Sequence, residues 1–315
     1  MAKKTLNDPA DYIFPLNING LDGRMLRLPP PPSKTAKNRE IMFVYGHHSS
    51  LERWWGLAQA LNRYGAVTMP DLPGFGGMDS FYKIGKKPTI DNLADYLTAF
   101  VKLRYRRKKL IIVGMSFGFV IVTRMLQRNP ELIKNVTLVI SVVGFAHKDD
   151  FTFSKPRYFF YLFATKMILS HKLPALFFRY TAINTWVLRN FYGRTHNAKH
   201  KFKLASNKDE VEKIKDMEVR LWHDNDIRTW AFTSAEFLTF DNCRVQVDLP
   251  VWHVGAKVDI YFDHRLVDQH LQIIFSKFYS AIVDLETHAP SVIANEKDAA
   301  ALIPPKLHSF LVRAK

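Results

Sequence analysis

Four short runs limit what this chain can fold into: EIMFVYG (40–46), AVTMPD (66–71), LIIVGMS (110–116) and NVTLVIS (135–141). Each is apolar along its length rather than alternating, and each is short. Strands of a parallel sheet, buried on both faces, read this way. Segments of helical spacing separate them. After the first comes SSLERWWGLAQALNRYG, with Ser49 or Ser50 as N-cap. Residues 89–105 follow the second, with Asp in the first turn and basic residues in the last, and FGFVIVTRMLQR (117–128) follows the third. The rhythm returns late, with a strand at 249–255, a helix at 264–278, a strand at 280–286 and a broken helical stretch near the end. Ahead of it all, FPLNINGLDGRMLRLP reads as a hairpin turning at Leu21-Asp22-Gly23. The expected architecture is α/β, a mostly parallel central sheet flanked by helices.

Between about residues 145 and 245 the alternation stops and helical segments take over, at 156–171, 174–192 and 208–218. The stretch is too long and too aromatic for a linker. Charge concentrates here. The chain has 45 basic and 29 acidic residues, a net +16, and eleven of the Lys and Arg lie within 151–208, which contains no Asp or Glu. Fourteen aromatic residues share that segment.

The third strand ends in Val113-Gly114-Met115-Ser116-Phe117-Gly118. A Gly-x-Ser-x-Gly turn between a buried strand and a helix is the nucleophile-elbow pattern: a sharp turn that lifts a serine hydroxyl from the sheet, with glycines where side chains would collide. A serine nucleophile needs a base and an acid to orient that base. In such a sheet the acid follows one late strand and the histidine the next. Asp259 and His288 occupy those places, at the sheet edge that carries Ser116. Asp263 is a rival acid; Asp248 and Asp284 are worse placed.

The hairpin, VYGHHSSLERW, DLPGFGGMDS, VGMSFG, GAKVD and ETHAP together resemble, in order and spacing, the α/β-hydrolase superfamily. The resemblance spans most of the chain. It implies an α/β-hydrolase fold with core segments 1–144 and 246–315 and a helical cap, 145–245, inserted after the sixth strand. It also implies an oxyanion hole from the backbone N–H groups of His47 and Phe117. Tyr45 stands where the family usually has His, a departure that alters the packing beneath that loop. The expectation is a serine hydrolase cleaving carboxylic esters or lactones, with Ser rather than Asp at the elbow pointing away from the dehalogenases and epoxide hydrolases of this fold. The alternatives are a membrane-peripheral lipid esterase or acyltransferase, or a non-catalytic binding protein.

No cofactor is expected, and a metal site on His47-His48 would need a third ligand that the sequence does not place. The basic aromatic segment suits an apolar acyl pocket with a solvated basic face, or contact with an anionic membrane; no recognised motif supports nucleic acid. Arg228 is expected to pair with Asp224 or Asp226. A single cysteine, Cys243, and the lack of a secretory leader or an 18-residue apolar run lead to the expectation of a cytoplasmic protein, with a membrane-peripheral one as the alternative.

Overall fold

The computed structural model describes residues 8–313 apart from 33–35, 37, 107, 171, 196–197, 200–201, 204, 206, 286–287, 289–298 and 300. The sheet has eight strands: β1 (Ile13–Ile18), β2 (Leu21–Leu28), β3 (Glu40–Val44), β4 (Ala66–Pro70), β5 (Leu110–Met115), β6 (Val136–Val142), β7 (Val247–Ala256) and β8 (Phe275–Val283). Their order is β1-β2-β4-β3-β5-β6-β7-β8. β2 is antiparallel to its neighbours β1 and β4, and all pairs from β4 onward are parallel. β3, β4 and β5 are buried at every position, as their unbroken apolar runs require. The helices α1 (Trp55–Asn62), α2 (Ile90–Arg104) and α3 (Phe117–Arg128) alternate with these strands.

From β3 the chain steps to β4 on one side, then crosses to β5 on the other. The strand order therefore reverses between β3 and β5. Loops leaving their carboxyl ends diverge there and open a crevice. Residues 45–48 and the turn at Ser116 sit at that reversal.

Between β6 and β7 lie α4 (Lys155–Ser170), α5 (Lys172–Thr181), α6 (Thr185–Phe191), α7 (Lys208–Asp224) and α8 (Ile227–Phe237). An isolated antiparallel bridge, His147 to Asp241, joins the outgoing and returning chain. Asp150, fully buried, closes this neck: Oδ2 accepts the N–H groups of Ala146 and His147, and Oδ1 meets Nδ1 of His270 at 2.6 Å. His270 belongs to α9 (His264–Ile274); the last helix is α10 (Pro305–Arg313).

Several boundaries differ from expectation. The hairpin turns at Asn19-Gly20, both at positive φ (53° and 82°), the signature of a two-residue type I′ turn; Asp22 and Gly23 lie inside β2. α9 stops at Ile274 because its apolar stripe, Val267, Leu271 and Ile274, is complete there, and the following residues pair with β7 from Phe275 onward. Residue 286, at the end of the expected strand, lies outside the described residues. The single helix expected over 174–192 breaks at 182–184, where Asn184 accepts from the Val187 N–H and starts α6. Ser49 does not cap a helix; its Oγ accepts from Trp54 Nε1, and a 3₁₀ turn over Glu52–Trp54 precedes α1. α7 runs on to Asp224 rather than stopping near 218.

The turn assignment has a direct test. A Cβ on Gly20 would meet nothing nearer than 4.0 Å, so Gly20→Ala introduces only left-handed backbone strain. It is expected to lower unfolding free energy by about 1–2 kcal/mol, read as a fall in urea midpoint at constant m-value. No change would return the turn to Asp22-Gly23.

Candidate active site

Ser116 sits between β5 and α3 at φ 48°, ψ −122°, a conformation that non-glycine residues rarely adopt. The neighbouring glycines allow it. A Cβ on Gly118 would lie 2.3 Å from the Tyr45 carbonyl oxygen, and one on Gly114 would lie 2.6 Å from Phe119 Cα. The turn is held by the Ser116 N–H, which donates to the Val142 carbonyl on β6 (2.9 Å).

His288, in the loop after β8, approaches from the side. Its Nε2 is 3.0 Å from Ser116 Oγ, and its Nδ1 is 2.7 Å from Asp259 Oδ2. The side chain of Asp259, in the loop after β7, is fully buried. Its Oδ1 accepts the N–H groups of Tyr261 (2.8 Å) and Phe262 (3.2 Å). Burial by itself would raise the pKa of this carboxyl. The neighbouring His288, the Tyr261 amide and His264 outweigh that, and it stays below the usual carboxylate range. Tyr261 and Phe262 both set ring edges against His288, at 5.2 Å. Asp263, the rival acid, faces away. Its Oδ1 accepts from Arg265 N–H and caps α9. Ala289 and Pro290 lie outside the described residues.

Phe117 is the first residue of α3, where a backbone N–H has no acceptor within its helix. His47 follows Gly46, whose position beside Ser116 is so close that a Cβ there would sit 3.2 Å from Ser116 Cβ. The His47 ring is packed among Phe75, Phe117, Trp230 and Phe237. Its Nε2 lies 2.8 Å from Thr233 Oγ1, whose own hydrogen goes to the Thr229 carbonyl. His47 is therefore the donor in this contact. Burial drives its pKa down to about 3.

Tyr45, beneath this loop, is fully buried. Its hydroxyl donates to Asp71 Oδ1 (2.9 Å) and accepts from the Leu72 N–H (2.8 Å), tying the end of β3 to the loop after β4. The phenol thus acts as a strut between two loops. Arg228 pairs with neither expected acid. It stacks over Tyr82 at 4.0 Å, while Asp226 caps α8 and Asp224 pairs with Arg220.

A cavity of about 610 Å³ opens above Ser116 and His288. The core contributes its floor. The residues between β6 and β7 contribute much of its wall, including Phe151, Phe178, Trp222, Trp230 and Phe237. The lining is mostly apolar, with His48, Arg53 and buried Glu218 as polar members; Glu218 Oε2 lies 4.0 Å from His48 Nε2. Among the described residues no group of three His, Cys, Asp or Glu side chains is placed to hold a metal ion.

The α/β-hydrolase fold family model matches residues 41–241, well over half of the chain. This protein belongs to that family. Solved structures agree on the fold across almost its whole length. An esterase from Exiguobacterium antarcticum aligns at 13% identity and a TM-score of 0.65, covering 93% of this chain and 97% of its own. The enol-lactonase from Burkholderia xenovorans LB400 aligns at 14% and 0.63, covering 95% and 99%. The juvenile hormone epoxide hydrolase from the silkworm Bombyx mori aligns at 15% and 0.63, covering 95% and 76%. Of the motifs quoted from the sequence, VYGHHSSLERW, DLPGFGGMDS, VGMSFG and GAKVD lie at the carboxyl ends of β3, β4, β5 and β7, and His288 follows β8.

Sequence reasoning missed α8, which brings Thr233, Trp230 and Phe237 onto His47. Its signal was present: Asp226 followed by Thr229 is an N-cap pattern, and the structure shows Asp226 accepting the Thr229 N–H.

Two predictions follow from the buried polar groups. Tyr45→Phe strands the Leu72 N–H and should cost about 1–3 kcal/mol, measured by urea unfolding. Desolvation holds both His47 and His253 neutral, with pKa near 3 against the ordinary 6.5. Between those values the unfolded chain binds protons that the folded chain does not, so stability falls as pH drops below about 6.5. The slope should be about 1.4 kcal/mol per pH unit for each histidine. His47→Gln, which keeps a donor for Thr233, should remove one such increment.

Proposed function

We propose that this α/β-hydrolase cleaves carboxylic esters, lactones included, through Ser116, His288 and Asp259. The observation that carries the reading is the continuous chain of contacts from Asp259 through His288 to Ser116, opening on a largely apolar cavity. With the Asp259 carboxylate accepting Nδ1–H, the imidazole presents its Nε2 lone pair to the serine hydroxyl. Ser116 Oγ attacks the ester carbonyl as its proton passes to Nε2. The backbone N–H groups of His47 and Phe117 receive the oxyanion, aided by the positive end of α3. The tetrahedral intermediate collapses, the C–O bond to the leaving alcohol breaks, and His288 returns the proton to that alcohol. Water, deprotonated by His288, then attacks the acyl-enzyme. The released acid leaves Ser116 and His288 as they began.

The esterase and enol-lactonase among the fold neighbours fit this reaction class. Epoxide opening through an alkyl-enzyme uses a carboxylate nucleophile, and position 116 is serine. In this reading residues 145–245 are the cap: its aromatic walls select the acyl or alcohol part, and the core, 1–144 and 246–315, supplies the chemistry. A cytoplasmic location is part of the same reading, supported by the single Cys243.

Initial rates on aryl esters of increasing acyl length test it. Ser116→Ala is expected to lose at least about 10⁴-fold in turnover. Asp259→Asn should lose about 10³–10⁴-fold, and Asp263→Asn little. Retained activity in Ser116→Ala would remove the nucleophile assignment, and a reversed order of the two Asp variants would exchange their roles.

A further inference from the structure

The cavity accounts for only part of the aromatic segment. On α4, Phe159, Phe160, Phe163 and Met167 repeat at helical spacing on one face, and that face is exposed; the three Phe are 64%, 67% and 68% exposed. Its other side buries Thr165 and Ile168. On α5, Leu173, Leu176, Phe177 and Tyr180 do the same, with Phe177 and Tyr180 each 71% exposed, while Ala175 is buried and Phe178 lines the cavity. Trp186 on α6 adds a further exposed ring. An ordinary surface helix turns one apolar stripe to the core and a polar face to water. These two helices carry a second apolar stripe that faces water, and contiguous patches of this kind mark contact surfaces.

Charge decides the partner. No acidic residue occurs in 151–208, and Lys155, Lys166, Arg194, Lys199 and Lys203 are exposed. Lys166 lies on the α4 stripe itself, between Phe163 and Met167. On α7, Glu212 and Asp216 are engaged by Arg189 and Lys215. Bulky apolar side chains beside exposed lysines suit a surface with an apolar interior and anionic head groups. A second copy of this chain would bring like charge against like. No described helix is long and apolar enough to cross a membrane, so contact of this kind lies along the surface.

We propose that the outward stripes of α4 and α5, with the lysines around them, dock this protein on anionic lipid bilayers. Docking is read without turnover, so its failure leaves the ester-hydrolase reading intact. The test is co-sedimentation of the full chain with phosphatidylcholine vesicles carrying about 30% phosphatidylserine, with pure phosphatidylcholine as control. Binding should be strong at about 50 mM salt and fall at least about tenfold at about 500 mM salt. The double variant Phe160→Glu/Phe177→Glu, at positions outside the cavity lining, should bind at least about tenfold more weakly while hydrolysing a short soluble ester at the parent rate. Lys166→Glu should weaken binding in the same direction. Absence of binding to anionic vesicles at low salt would overturn the proposal. So would binding unaffected by these substitutions, or light scattering that shows a dimer dissolved by the double variant, which would assign the stripes to a second copy.

Discussion

The site depends on one strained turn. Ser116 occupies a backbone conformation that costs of the order of 1–3 kcal/mol, and it persists because β5 and α3 leave no other path between them. Gly118 lies against the carbonyls of Val44 and Tyr45, so α3 starts in direct contact with the end of β3. That contact places the first amide of α3 beside the loop carrying His47, and the sheet reversal between β3 and β5 keeps the crevice above them open. A larger residue at either glycine would separate strand from helix and displace the serine.

Much of this was legible in the sequence because it rests on local rules. Continuous apolar runs announced the parallel strands, and Gly-x-Ser-x-Gly after such a run announced the turn. Asp259 and His288 were found by position relative to late strands; in the structure His288 reaches Ser116, and Asp259 reaches His288. What was misread depended on competition between local signals. Asp22-Gly23 and Asn19-Gly20 are both turn dipeptides, and strand pairing, Ile18 with Leu21, decides between them. Residues 275–278 continue a helical pattern but are claimed by the edge of β7. Arg228 has two acids close in sequence, yet both are taken by a cap and by Arg220, and its guanidinium lies on Tyr82, which no local rule reveals. The strut at Tyr45 is likewise a contact between distant loops.

The segment between β6 and β7 has two apolar faces with different neighbours. Phe178 and Tyr161 look toward the cavity, whereas Phe160, Phe163 and Phe177 look toward solvent. Composition shows an excess of aromatics there, but only the fold sorts them into pocket wall and outer surface. The near absence of amphipathic contrast along α4 in sequence thus has a physical origin: both of its sides are apolar.

The central claim is that Ser116 is an activated nucleophile. Intact-mass measurement after reaction with a fluorophosphonate probe tests it most directly, because the probe needs an activated serine but no particular substrate. The account predicts one covalent adduct, mapped by peptide sequencing to Ser116 and strongly slowed in His288→Ala. An unmodified protein, or an adduct on another residue, would contradict it.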